Sequence, residues 1–216
     1  MAKNEKYIPA LRFGWLTPLY DPILRWVMRE EKFKKELVRQ AQIQAGQKVL
    51  DLGCGTATLT ILIKQTHPEA EVIGLDGDSR VLAIGRAKAA RAGVEITLDQ
   101  GMAFHLPYPD RSFDRVLSSL LFHHLITENK QGTFNEVYRV LRQEGELHVA
   151  DFGRPRNPWA SLISQLMARL EEVSDNHKGL LPEMMRQAGF DMAVAVRHFS
   201  TIFGTLTLYR AQKQGY

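Results

Sequence analysis

The chain has 216 residues, 44% of them hydrophobic and 24% charged, with a formal net charge of +4. That length suits one domain, which buries roughly 70% of the surface its unfolded form exposes and so needs no covalent or metal staple. One cysteine excludes an internal disulfide and fits a reducing compartment; no apolar run reaches the ~18 residues of a membrane span; and the charge is too mild to single out nucleic acid or anionic lipid as a partner.

The first residues, MAKNEKYIPA, lack the apolar centre of a secretory signal, so cytoplasmic residence is the expectation. Pro9, Pro18 and Pro22 punctuate a stretch that also holds Trp15, Tyr20 and Trp26. From 23 to 42 the spacing turns helical: Ile23 with Val27, Leu24 with Met28, then Phe33, Leu37 and Val38 among charges. This basic amphipathic pattern reads as a helix packed on the core; the alternative, a helix in peripheral contact with a membrane surface, would share the same look. Residues 1–42 therefore read as an N-terminal helical lid segment ahead of a main domain over 43–216.

Short apolar runs then alternate with helical segments. Strands are predicted at 48–52, 71–76, 94–98, 113–119 and 146–151, and helices at 58–65, 79–92 and 130–141. That alternation predicts an α/β fold, a doubly wound, mostly parallel sheet with helices on both faces. After Gly153 helices follow at 158–173 and 181–188, and runs at 190–199 and 201–210 predict a C-terminal antiparallel hairpin, making seven strands. No repeat or linker marks a second domain.

Residues 49–63 read VLDLGCGTATLTILI, and a second apolar run ends in Asp76 within VIGLDGDSRVL. Glycine tolerates conformations closed to other residues and lets a ligand approach the main chain, and the helix that follows opens with free N–H groups. A phosphate-binding Walker loop would end in Gly-Lys-Ser/Thr, which is missing. The dinucleotide fingerprint would put its third glycine where Thr58 stands. Asp51 precedes the loop, and Asp76 lies at the distance expected of a carboxylate that accepts both hydroxyls of a ribose. An ordinary strand-to-helix turn in an unrelated α/β protein is the competing reading of the loop alone.

VLDLGCGTA, GLDGDS, GMAFHLPYPDRSFDRV and RVLRQEGELHVADFG resemble the successive motifs of class I S-adenosylmethionine (SAM)-dependent methyltransferases with a Rossmann-like fold. The nearest branch is the ubiquinone/menaquinone-biosynthesis type, which also includes sterol and phospholipid N-methyltransferases. The resemblance covers about residues 45–152 and is specific for the cofactor, much less so for the acceptor. It implies that Gly53, Cys54 and Gly55 form the loop against the methionine moiety, with Asp51 orienting it, and that Asp76 and Gly77 serve the ribose. It further implies that Met102 and Ala103 border the adenine and that Ser119 and Leu120 close the cofactor site. The chain departs from the pattern at Ala57, where glycine is common, and at Met102, where an acid often holds the adenine amino group. Methionine can pack on the purine but cannot accept that hydrogen bond, which leaves backbone groups or Asp99. Cys54 reads as a packed small residue rather than a nucleophile.

For this family, methyl transfer falls at the loop after the fourth predicted strand, SSLLFHHL from Ser118 to Leu125. His123 and His124 are the general-base candidates, against a reading in which one of them only shapes the loop. A metal is not expected, because adjacent histidines point apart and no Cys/His cluster supports them. Tyr20 and Asp21 resemble the branch's N-terminal Tyr-Asp, and Tyr20 joins the catalytic candidates; an aromatic anchor for the first helix is the alternative. Asp151 ends the fifth predicted strand beside the same cleft, Arg154 and Arg156 are loop charges able to meet an anionic acceptor, and Asp175, Asn176 and His177 read as a loop and helix cap. The expected activity is methylation of a small lipophilic acceptor: a quinone precursor, phospholipid amine or aromatic metabolite. The acceptor would be enclosed by residues 1–42 and an insertion at about 153–188. An RNA or protein methyltransferase and a non-catalytic SAM-binding subunit are the alternatives.

Overall fold

A computed structural model describes residues 30–156, 158, 160–161, 174–202 and 204–215. Its strands are β1 (Lys48–Leu52), β2 (Glu71–Asp76), β3 (Thr97–Gln100), β4 (Phe113–Ser119), β5 (Leu141–Phe152), β6 (Met192–Thr201) and β7 (Gly204–Gln212). They form one seven-stranded sheet in the order β3-β2-β1-β4-β5-β7-β6. β1 to β5 pair in parallel, and β7 runs antiparallel between β5 and β6. This is the expected mostly parallel, doubly wound sheet with its terminal hairpin.

Helices among the described residues are α1 (Glu30–Ala41), α2 (Thr58–Thr66), α3 (Ser79–Ala92), α4 (Thr127–Val140), α5 (Ser174–Lys178) and α6 (Leu181–Gln187). Successive strand side chains point to opposite faces, so each strand feeds two cores. Leu50 and Val116 pack with Phe134, Val137, Leu181 and Met185 under α4 and α6. Val49 and Leu117 pack with Phe33, Leu37, Leu59 and Ile63 under α1 and α2. The apolar stripe of α1 is therefore core packing, and Gln40 further ties the helix to the sheet by donating to Tyr209 O at 3.1 Å. Residues 23–29 of the predicted first helix lie outside the described residues, as do Tyr20, Asp21 and most of 158–173. Among the described residues no helix is long and apolar enough to cross a membrane.

Three segments differ from expectation. The third strand begins at Thr97, opposite Ile73, rather than at Val94. Gly93 closes α3 in the left-handed region (φ 63°), and Val94 N–H donates to Ala89 O at 3.2 Å, so Val94 is used in the helix cap. The fifth strand begins at Leu141 rather than at residue 146, with an irregularity before Glu146, since Phe113 pairs with Leu141 but Arg115 with Glu146. Asp175, Asn176 and His177, read as a loop and helix cap, form the short helix α5.

Strand order reverses between β1 and β4, because the chain builds outward to β3 and then returns to the other side of β1. Ligands of open α/β sheets bind at that reversal, beyond the carboxyl ends of the strands.

Candidate active site

The chain leaves β1 through Gly53 (φ 70°) and Gly55 (φ 53°), conformations that favour glycine. The amides of Gly53 and Cys54 both donate to Leu75 O, at 2.8 and 3.0 Å, which locks the turn onto the end of β2. A Cβ added at Gly53 would lie 2.8 Å from Leu121 Cδ1, so this glycine also makes room for the wall opposite. Gly55 N–H donates to Asp76 Oδ2 at 2.8 Å and Asp78 N–H to Asp76 Oδ1 at 3.0 Å. Two amides thus orient the Asp76 carboxylate, and each oxygen keeps a further lone pair for a ligand. Ala57 precedes α2 at φ 58°, the left-handed conformation in which glycine is unstrained.

A cleft of about 280 Å³ opens at this point, the size of a small-molecule site. Of the residues singled out in the sequence, Gly53, Cys54, Gly55, Asp76, Gly77, Met102, Ala103, Ser119, Leu120 and His124 line it. Asp51 and His123 lie behind its walls, and Tyr20 falls outside the described residues. Asp51 is fully buried and accepts the Thr60 hydroxyl at 2.6 Å. Burial pushes its carboxyl up to about 6, with Thr60 and Lys34 pulling the other way. Burial, reinforced by Asp51 and Asp76, pushes the Cys54 thiol up, which agrees with a packed, unreactive residue. Asp99, the alternative adenine acceptor, instead takes the Tyr108 hydroxyl at 2.9 Å and does not line the cleft.

The far wall follows β4. Leu120 turns the chain in the left-handed region (φ 59°), rare for a bulky side chain, and its amide donates to Ala150 O at 2.8 Å. Ser119 Oγ is buried without a hydrogen-bond partner among the described residues. A 3₁₀ turn at Phe122–His124 comes next, anchored by Phe122 stacked on Phe134 with centroids 4.4 Å apart. Asp151, 0% exposed at the end of β5, is the hub behind it. Its Oδ2 accepts Phe122 N–H at 2.7 Å; its Oδ1 accepts His123 Nδ1–H at 2.8 Å, Phe152 N–H at 2.8 Å and Asn176 Nδ2–H at 3.1 Å. Burial would raise the Asp151 carboxyl, but His123 and the Phe152 and Phe122 amides prevail and hold it below the ordinary range.

His124 faces the cleft while its ring lies 3.9 Å, centroid to centroid, from that of His123. Burial, with His123 beside it, pushes His124 down to about 3. It is thus a neutral imidazole at physiological pH. Lys34, Glu30, Thr56, Phe104, Leu121, Leu125, Ile126 and Asn129 also line the cleft without having been singled out as site residues. Among the described residues no group of three or more His, Cys, Asp or Glu side chains could hold a metal.

Residues 49–145 match the methyltransferase domain family. The chain is 30% identical over 210 residues to the demethylmenaquinone methyltransferase of Lactobacillus johnsonii, covering 86% of this chain and 85% of that protein. It is 34% identical over 145 residues to that of Thermus thermophilus, covering 66% and 65%. The fold is shared with the YcgJ protein of Bacillus subtilis at a TM-score of 0.70 and 19% identity, over 86% of this chain and 100% of that one. It is likewise shared with a SAM-dependent methyltransferase of Methanosarcina mazei at 0.68 and 17%, over 83% and 98%.

Fold and site together define a SAM-dependent methyltransferase. The chain belongs to the class I enzymes of that kind, in the menaquinone-type branch. The site suits the cofactor: the glycine turn leaves its main chain bare, the Asp76 carboxylate is held ready for a diol, and Ser119 offers a buried hydroxyl.

Proposed function

We propose that this enzyme methylates a small lipophilic acceptor of the quinone type, in its reduced hydroquinone form. The observation that carries the reading is a cleft whose lining joins the glycine turn and Asp76 to the apolar side chains of Phe104, Leu120, Leu121, Leu125 and Ile126. A flat hydrocarbon ring system set against those apolar side chains is favoured by roughly 25 cal/mol for each Å² removed from water. Relatives named for demethylmenaquinone support the same acceptor class. The reduced form follows from chemistry: a ring carbon beside an electron-donating hydroxyl is a nucleophile, whereas the corresponding carbon of the oxidised quinone is an electrophile.

SAM, when bound, supplies a methyl group on a sulfonium centre, a strong electrophile that needs chiefly to be positioned. Gly53 and Gly55 would give its amino-acid end access to the main chain, Asp76 with Gly77 beside it would take the ribose hydroxyls, and Met102 and Ala103 would border the adenine. Asp51 acts through Thr60 at the start of α2 and is a positioning residue. His124, neutral and on the cleft, is suited to hydrogen-bond an acceptor hydroxyl without placing a positive charge beside the sulfonium. His123, tied to Asp151, holds that wall in place rather than exchanging protons with substrate.

Methyl-labelled SAM offered together with an alkylated 1,4-naphthohydroquinone lacking one ring methyl tests the assignment. Label is expected in the hydroquinone and not in the oxidised quinone. Label only in phospholipid amines, RNA or protein from parallel incubations would overturn it.

A further inference from the structure

Lys34 of α1 lines the same cleft beside the glycine turn, with its side chain only 11% exposed. Its ammonium donates to Glu30 Oε1, one helical turn earlier, at 2.5 Å, and Glu30 lines the cleft as well. Lysine is seldom buried this far unless its charge has a use, because the desolvated ammonium must be paired. An ammonium has three N–H donors, and among the described residues Glu30 is its one hydrogen-bond partner, so two donors remain. Lys34 also acts electrostatically on Asp51 beneath the glycine turn, which sets it next to the loop that would meet an amino-acid end.

A largely buried ion pair does little for stability, since desolvation offsets the attraction. A surface-facing lysine would serve the helix equally well, as Lys35 with Glu31 does on the exposed side of α1. The pair in the cleft instead presents one charge of each sign to a space floored by glycine. An amino acid is a zwitterion, with a carboxylate and an ammonium on one carbon, and such a ligand can pair with both.

We propose that Lys34 binds the α-carboxylate of the amino-acid end of SAM, with Glu30 facing its α-ammonium. This rests on the placement of the cofactor given under Proposed function. It adds a cofactor-binding residue from α1, outside the glycine loop and strand ends that carry the other contacts. Lys34 then couples seating of α1 to occupancy of the site.

Calorimetry with three ligands separates the parts. They are S-adenosylhomocysteine, its decarboxylated analogue, and 5′-deoxy-5′-methylthioadenosine, which keeps the nucleoside thioether but has no amino-acid end. Wild type is expected to bind the decarboxylated analogue at least about tenfold more weakly than S-adenosylhomocysteine, the effect of one charged hydrogen bond. Lys34→Met should lose about tenfold or more for S-adenosylhomocysteine, keep its affinity for methylthioadenosine within about twofold, and erase the preference for the carboxylate. Lys34→Arg, which keeps the charge, should restore part of that preference, and its melting temperature beside that of Lys34→Met shows that both are folded. A wild type indifferent to the carboxylate overturns the proposal, as does a Lys34→Met that binds S-adenosylhomocysteine normally or weakens both ligands alike. If Lys34→Met does not fold, a Lys34→Arg without any carboxylate preference overturns it too. Wild type that binds none of the three would overturn the cofactor placement itself.

Discussion

The Asp76 carboxylate at the end of β2 accepts the amide of Gly55 at 2.8 Å, joining the two motifs that lie 21 residues apart in the chain. The bond makes the glycine turn and the acid a single unit. Moving either displaces the other. Asp76→Ala removes the acceptor of two amides and, in the proposed cofactor placement, of the ribose diol. Affinity for S-adenosylhomocysteine is expected to fall at least about a hundredfold by calorimetry, two charged hydrogen bonds at ~1.5 kcal/mol each. Asp76→Asn keeps one acceptor oxygen and should lose less. Unchanged affinity in the alanine variant would contradict the ribose assignment.

Much of this half of the site was legible in the sequence because its chemistry is local. A main chain that must bend left-handed and stay bare requires glycine at 53 and 55, and an acid where β2 ends accepts the amides of Gly55 and Asp78. Lys34 was not legible in that way. Its neighbours Phe33, Leu37 and Val38 mark an amphipathic helix, and a lysine among charges reads as solvated until tertiary packing turns it toward the cleft. The division of labour between His123 and His124 was equally hidden. It depends on Asp151, 28 residues on from His123, and on Asn176, 25 residues beyond that. The late start of β3 was readable in principle, since Gly93 after a helical run signals a left-handed cap that uses Val94.

Met102 lines the cleft, and Asp99 is engaged by Tyr108 rather than facing it. The thioether can pack on a purine but accepts no hydrogen bond of consequence. Wild type should therefore bind S-adenosylhomocysteine and its analogue lacking the 6-amino group within about threefold of each other. Met102→Asp should favour the amino-bearing ligand by about tenfold, the contribution of one charged hydrogen bond. Competition binding with the two ligands measures both ratios. Strong discrimination by wild type would mean that another group reads the amino function.

His124 carries a pH dependence of defined sign. Its folded value, pushed down to about 3 by burial and by His123, lies below the ~6.5 of a histidine in an unfolded chain. Between those values the unfolded chain holds a proton that the folded protein does not, so stability is lost as pH falls through the window. The slope approaches about 1.4 kcal/mol per pH unit. His148 and His177, also lowered by burial, act in the same direction. Asp51, raised to about 6, acts against them, because its folded form takes up a proton first. His124→Gln isolates the one contribution. In urea unfolding the variant should gain on wild type by about 2 kcal/mol between pH 7 and pH 5. A difference that does not change with pH would show that His124 protonates without unfolding.

Asp151 gathers the Phe122 and Phe152 amides, the His123 imidazole and the Asn176 side chain on one buried carboxylate. Asparagine has nearly the same shape but one acceptor oxygen, and its NH₂ must face either the Phe122 amide or the three donors on the other side. Either orientation sets donor against donor in a site without water access, at a cost of about 3 kcal/mol. For a domain of this size that corresponds to a fall in melting temperature of roughly 6–12 °C for Asp151→Asn. Asp76 and the glycine turn do not touch this hub, so S-adenosylhomocysteine should still bind within about threefold at a temperature where the variant is folded. Methyl transfer should fall much further, because the turn that carries His124 loses its anchor. An Asp151→Asn protein that melts with wild type and turns over normally would show that the hub neither stabilises the fold nor positions His124.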